Sequence, residues 1–318
     1  MLTSCSRQPN VKLESDSRLT ARTRAQRASL AAGAVKLLCA VAVALAVLAV
    51  ASPASAEQWT KKYTVSGRPS VHVGTDDGNV TIVPGPAGEI QADVHADGYS
   101  IPGDVHVSES QVGDAIRIDV KVPSMHFHIF GGGHTSVGIT VHIPAESDLD
   151  ISSGDGNVVS QAVNGNIRIT TGDGNITANG VKGTIKLHTG DGNIGAADLD
   201  GTLDADTGDG RVQVRGRFDS LNLKSGDGNI DADATAGSKI PGGGGWTLHT
   251  GDGRVNLRLP SDFTADLSVH TGDGHISLDF PVTVAGSLSG SSIHGKMNGG
   301  GGPLTVTSGD GSIRIEKL

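Results

Sequence analysis

The residues whose spacing most suggests chemistry are aspartates. Gly-Asp-Gly recurs with Asp155, Asp173, Asp191, Asp209 and Asp227 each 18 residues apart. Carboxylates stacked one per repeat repel one another unless water, turn amides or a cation neutralise them, so the column is a candidate calcium site. Ca²⁺ takes six to eight oxygens, whereas each repeat supplies a single Asp, and the Gly-Gly-x-Gly-x-Asp signature of calcium-binding β-rolls is absent. The bland reading is a turn aspartate bonded to backbone N–H groups two residues on. A second candidate is His126, His128 and His134, since neutral imidazoles suit Zn²⁺ or Cu²⁺. No Cys or carboxylate lies near them and a glycine run interrupts them, which favours exposed strand histidines. A third is Asp204 and Asp206 near Arg211, the kind of cluster that cleaves polysaccharides. That chemistry needs two carboxylates in different environments, roughly 5 to 10 Å apart, and a uniform repeat offers like environments. The glycines sit in strand turns, so no dinucleotide fingerprint applies. The sequence predicts neither an enzyme nor a cofactor.

The elements that would position these residues are strands. Val158, Ile176, Ile194, Val212 and Ile230 keep the same period, as do Ile167, Ile185, Leu203 and Leu221. Within one unit Ile185 and Leu187 alternate with Lys186 and His188, the two-residue periodicity of a strand. Eighteen extended residues make one small closed circuit, and successive circuits would stack about 4.8 Å apart with equivalent residues in register. The expectation is an all-β fold, a parallel β-solenoid of about 18 residues per coil. In its turns the two glycines are expected to take φ > 0. Asn157, Asn175, Asn193 and Asn229 would form an amide ladder, which Arg211, Arg254 and His275 interrupt. His188, His249 and His270 would share one outward column. Further copies at Asp252, Asp273 and Asp310 follow at spacings of 25, 21 and 37. The first gap reads as a period plus a loop around Gly242–Gly245. The last reads as two periods whose middle copy, Gly290-Ser291-Ser292-Ile293, has lost its Asp.

The 318-residue chain has 47 Gly, 36% apolar residues and nine aromatics, little material for a thick core, and a formal charge of −9. A basic nucleic-acid binder is thereby excluded. Seven basic residues precede the apolar stretch Leu37 to Val50 and the small residues Ala54-Ser55-Ala56, which together read as a secretory signal peptide over 1–56, its apolar part helical. The alternative is an uncleaved membrane anchor through 37–54, although the apolar stretch is short of the roughly 20 residues that span a bilayer. Both cysteines, Cys5 and Cys39, fall inside that segment. Without it the chain carries 18 basic against 32 acidic residues. Residues 57–147 read as an irregular N-terminal β-rich section that begins and caps the coil, and 148–318 as the repeats.

Repeated Thr/Ser-Gly-Asp-Gly-Asn-Ile, the leading Val80-Thr81-Ile82 and the closing Gly299 to Ile313 segment resemble the bacterial putative-adhesin family of uncharacterised domains, over roughly residues 64–318. The resemblance implies a parallel β-solenoid in an exported or membrane-anchored envelope protein, with no catalytic motif. The resulting expectation is a non-catalytic, exported binding scaffold in the periplasm, at the cell surface or secreted. Its partner would be an envelope or surface ligand, polymer or protein. The alternatives are a calcium-stabilised β-roll or a polysaccharide-cleaving β-helix enzyme. Self-association through an open coil end, beyond Ile315, is also expected.

Overall fold

A computed structural model describes residues 57–122, 135–284 and 290–318. They are all-β, with no helix among the described residues, and their 23 strands join in one hydrogen-bonded sheet. The first seven are β1 (Glu57–Thr64), β2 (Ser70–Thr75), β3 (Asn79–Pro84), β4 (Glu89–Asp97), β5 (His106–Val112), β6 (Ala115–Lys121) and β7 (Ser136–Ile143). The regular repeats contribute β8 (Asp148–Ser153), β9 (Val158–Gln161), β10 (Asn164–Thr171), β11 (Ile176–Asn179), β12 (Lys182–Thr189), β13 (Ile194–Thr207), β14 (Val212–Ser225) and β15 (Ile230–Ala234). There follow β16 (Trp246–Thr250), β17 (Val255–Leu259), β18 (Ala265–Thr271), β19 (Ile276–Leu278), β20 (Val282–Val284), β21 (Ser292–Met297), β22 (Pro303–Ser308) and β23 (Ile313–Lys317).

The strands pair as two parallel ladders joined by the glycine turns. The first runs β6, β2, β8, β10, β12, β13, β14, β16, β22, β18. The second runs β7, β3, β9, β11, β13, β14, β15, β17, β23, β19. The 18-residue period of the sequence is the pairing register itself: Ile176 lies between Val158 and Ile194. Alternation then puts Ile167, Ile169, Ile185 and Leu187 of the first ladder inward, buried against Ile176, Ala178, Ile194 and Ala196 of the second. Among the described residues aromatic rings gather once, where Trp246 lies 4.9 Å from Phe263 and 6.2 Å from Phe218 between ring centroids.

Chain order and stacking order part company at both ends. At one end β6 and β7 stack outside β2 and β3 although they follow them in sequence. At the other, β22 and β23 slide between β16–β17 and β18–β19. This overturns two expectations. The lost repeat expected at Gly290-Ser291-Ser292-Ile293 is not formed there: Ser292–Met297 is β21, antiparallel to β18. Nor does Ile315 mark an open end, because β23 is paired on both sides. Antiparallel strands instead flank the parallel stack, β5 on β6 and β4 on β7 at one end and β21 on β18 at the other, where β19 ends the second ladder paired with β23. Antiparallel partners satisfy the edge N–H and C=O groups that would otherwise template pairing with another chain.

The turn glycines are required by proximity and not by handedness. None of the Gly-Asp-Gly glycines has positive φ, contrary to the sequence expectation. A Cβ on Gly210 would lie 1.9 Å from the carbonyl oxygen of Gly192 in the next turn, and one on Gly192 would lie 2.0 Å from that of Gly174. Gly210→Ala is therefore expected to destabilise the protein by about 1–3 kcal/mol, the usual cost of overpacking. Gly195→Ala, where a Cβ meets nothing within 4 Å, should change little, and urea denaturation of the two variants checks the difference. A chain ending at Gly302 should lose the cooperative unfolding of its last rungs, and added peptide 303–318 should restore it by filling the vacated parallel slot. Absence of peptide binding in a fluorescence titration would contradict the observed pairing.

Candidate binding surface

Each turn is held by a hydroxyl. The Thr189 hydroxyl donates to the Gly174 carbonyl of the adjacent turn at 2.9 Å and accepts the N–H of Gly192 in its own at 3.2 Å. Thr207, Ser225, Thr250, Thr271 and Ser308 repeat both bonds. These hydroxyls, with Ser153 and Thr171, are eight of the eleven buried polar residues among the described residues. A buried polar group persists only when bonded, and this column is bonded within and between rungs. Sequence reasoning missed it, although the residue before each Gly-Asp-Gly is always Thr or Ser from the Asp155 copy onward.

The aspartates of the same turns have another place. Asp155, Asp173, Asp191, Asp209 and Asp227 are exposed, and no hydrogen bond from a turn amide to their carboxylates is formed. The expected aspartate–amide bond is replaced by the hydroxyl. The carboxylates stand one per rung, and among the described residues no three His, Cys, Asp or Glu side chains converge to hold a metal. His126, His128 and His134 lie outside the described residues.

Next to the aspartates runs the amide ladder. Asn79, Asn157 and Asn175 each accept on Oδ1 both the backbone N–H and the Nδ2 of the following asparagine, at 2.9–3.2 Å. At Arg211 and Arg254 only the backbone bond survives, to Asn193 and Asn229, which frees the side chain for the solvent face.

The outer faces are rows of polar residues set by the register. On the first ladder His188, Asp206, Lys224, His249, Thr307 and His270 follow one another, so the three histidines share a column that Thr307 enters. Asp204 and Asp206 do lie side by side there: Asp204 accepts from Asn222 at 2.7 Å, and Asp206 lies 3.6 Å from His188. Arg211 does not join them, since its guanidinium donates to Asp231 in the second ladder. The set read as a candidate for polysaccharide cleavage is thus divided between two faces.

On the second ladder charges are mostly paired. Arg258 binds Asp233, and at the corner Arg217 grips Asp219 with two bonds of 2.7 and 2.9 Å while its Nε reaches Asp200. These bonds raise the Arg217 pKa, and the guanidinium holds Asp219 below the usual carboxylate range despite partial desolvation. On the first ladder Asp148 is also held low, chiefly by the Asn166 backbone N–H and also by Arg68.

The second face carries a groove of about 470 Å³. Its floor is where the outward column loses its side chains, at Gly195 and Ala197. Thr177 and Asn179 wall it one rung to one side, Gln213 and Arg215 one rung to the other. The repeat thus breaks where the surface becomes concave.

The hydroxyl column sets a contrast that mutation can read. Thr189→Val leaves the Gly174 carbonyl and Gly192 N–H buried without that partner, at about 1–3 kcal/mol each. Asp191→Ala removes an exposed carboxylate from a like-charged row and should be neutral or slightly stabilising. Thermal melts of the two variants should therefore diverge, Thr189→Val lower and Asp191→Ala unchanged or higher.

A family model described as Toastrack DUF4097 matches residues 68–316. No curated protein matches the chain. Among solved structures, the chain is similar to a putative lipid binding protein from Parabacteroides distasonis ATCC 8503, with 13% identity, a TM-score of 0.47, and 81% of this chain and 96% of that one covered. A putative adhesin from Bacteroides fragilis NCTC 9343 gives 12% identity and a TM-score of 0.42, covering 83% and 99%. A putative adhesin from Parabacteroides merdae ATCC 43184 gives 13% and 0.42, covering 81% and 96%.

Proposed function

The chain belongs to the Toastrack DUF4097 family, and on that premise we propose that it is an exported, non-catalytic parallel β-solenoid that binds a polymer of the cell envelope or surface. The observation that carries this reading is the groove over Gly195 and Ala197. It is open, lined by amides, hydroxyls and charged groups, and framed by strands fixed on both sides, so its polar contacts are preorganised and little ordering entropy opposes binding. Polar rows continue beyond it at intervals of about 4.8 Å, a spacing suited to an extended chain of repeating units. The basic, apolar and small-residue segments of 1–56 support export. The absence of a catalytic role is supported by the separation of Arg211 from Asp204 and Asp206.

The calcium-stabilised reading has one observation in its favour, the column of exposed carboxylates at Asp155, Asp173, Asp191, Asp209 and Asp227. One ligand per rung is a poor match to a cation that takes six to eight oxygens. Addition of EDTA should leave the melting temperature and circular dichroism unchanged, and a large fall would establish the calcium reading.

The groove is tested by filling it. Gly195→Trp places an indole in open space, so folding should persist. Saturable binding to immobilised envelope polysaccharide should weaken at least tenfold, with no reducing ends released by either protein. Equal binding by the variant, or no saturable binding by the parent across envelope polymers, would count against the groove.

A further inference from the structure

The amide ladder ends on three consecutive rungs of the second face. Where the preceding rungs place Asn193, Arg211 and Asn229, β17, β23 and β19 are preceded by Arg254, Ser312 and His275. Two residues on, the same rungs present Asn256, Arg314 and Ser277, paired in register. Together these six side chains line a recess of about 450 Å³. No carboxylate lines it, although Asn256 Nδ2 donates to the Asp231 carboxylate at 2.8 Å and Ser312 Oγ accepts the His275 backbone N–H at 3.4 Å. The arginine nearest in the stack toward the other end, Arg211, is neutralised by Asp231, and Arg258 by Asp233. Among the described residues Arg254 forms no ion pair and its guanidinium makes no hydrogen bond, while its backbone N–H donates to Asn229 and its carbonyl accepts the Ile230 N–H. Arg314 spends one N–H on Glu316 at 3.2 Å, and a guanidinium has five donors. The turn aspartates that flank the recess, Asp252, Asp310 and Asp273, make no ion pair with either arginine.

Two arginines on neighbouring rungs share this recess with two serine hydroxyls and an imidazole. Guanidinium groups recognise planar and tetrahedral oxyanions through paired, charge-assisted hydrogen bonds. An acidic chain gains nothing in solubility from such a patch, and repulsion by its net charge makes local donors necessary if an anion is to stay. The recess is also assembled only because β23 inserts between β17 and β19, which brings Arg314 and Ser312 beside Arg254 and His275.

We propose that this recess is an oxyanion site, recognising a phosphate, sulfate or carboxylate group. It is separate from the Gly195 groove and stands or falls independently of it. The probes are inorganic phosphate, sulfate and acetate, titrated into ¹⁵N-labelled protein while the Arg254 and Arg314 Nε–H and His275 ring signals are followed. Saturable shifts at these residues are expected for at least one anion, with affinity about tenfold or more weaker in R254Q/R314Q and unchanged in R168Q, which removes an unpaired charge from the other ladder. A matching melting temperature shows that the double variant is folded. Shifts that never saturate overturn the proposal, as does equal weakening by R168Q, which would signify general electrostatics. Polyphosphate and polygalacturonate then distinguish the source: tighter binding of one, abolished by R254Q/R314Q, assigns the group to a phosphorylated or a uronate polymer, and polymer binding that survives the double variant overturns the site as a polymer contact.

Discussion

Main chains hydrogen-bonded rung upon rung meet most closely at the turns, and there no side chain fits. The Gly172 N–H reaches the Gly154 carbonyl at 2.5 Å, and Gly190 reaches Gly172 at the same distance. A Cβ on the second glycine of each turn would fall about 2 Å from the carbonyl of the next. From this single constraint follow the glycines, the hydroxyl that must fill the space inside the bend, and the outward position of the residue between the glycines. The apolar interior is built from rows of Ile, Val, Leu and Ala set by the same register, with Trp246 and Phe218 among the buried side chains. Backbone pairing with both neighbours supplies order that bulk does not.

The same constraint frees the outer faces. A residue pointing outward touches only its equivalents on adjacent rungs, so Asp204, Asn222 and Thr247 can succeed one another without cost to the interior. What the register does impose is neighbourhood: charges meet at the rung spacing, and opposite signs are favoured where they meet. Arg258 with Asp233 and Arg217 with Asp200 follow that rule. The two concavities of the second face arise where the outward pattern departs from its repeat, by losing side chains at Gly195 and Ala197, or by replacing asparagine with Arg254, Ser312 and His275.

Much of this was legible in the sequence because period and register are the same quantity. The columns of Val158, Ile176 and Ile194, of Ile167, Ile185 and Leu203, and of Asn157, Asn175 and Asn193 are neighbours in space as they are in alignment. The conformational reading of the glycines failed because Gly serves two needs, positive φ and close approach, and composition does not say which. The aspartate drew attention by its charge while the Thr or Ser beside it did the bonding, a role visible only once the adjacent turn is in place. The insertion of β22 and β23 was not legible at all. Any strand pair with the Ser-Gly-Asp-Gly turn and alternating apolar residues fits any slot in the stack, so the repeat that fixes register leaves stacking order open. Spacing alone then suggested a lost repeat where the chain in fact makes an antiparallel excursion through β21 and returns.

That degeneracy bears on what a frame of this kind can do. Catalysis asks for groups whose environments differ, an acid beside a base, one desolvated and the other not. Equivalent rungs give equivalent surroundings, and the aspartate column illustrates it: exposed carboxylates, one per rung and alike in setting. Recognition asks for the opposite, rigid groups at fixed intervals that meet a ligand built from repeating units. Individuality enters only where the repeat is broken or the chain stacks out of order, and both kinds of break fall on the second ladder. The insertion of β23 gives Arg254 and His275 neighbours that sequence order would not supply. It thereby makes that recess the part of the surface least determined by the repeat.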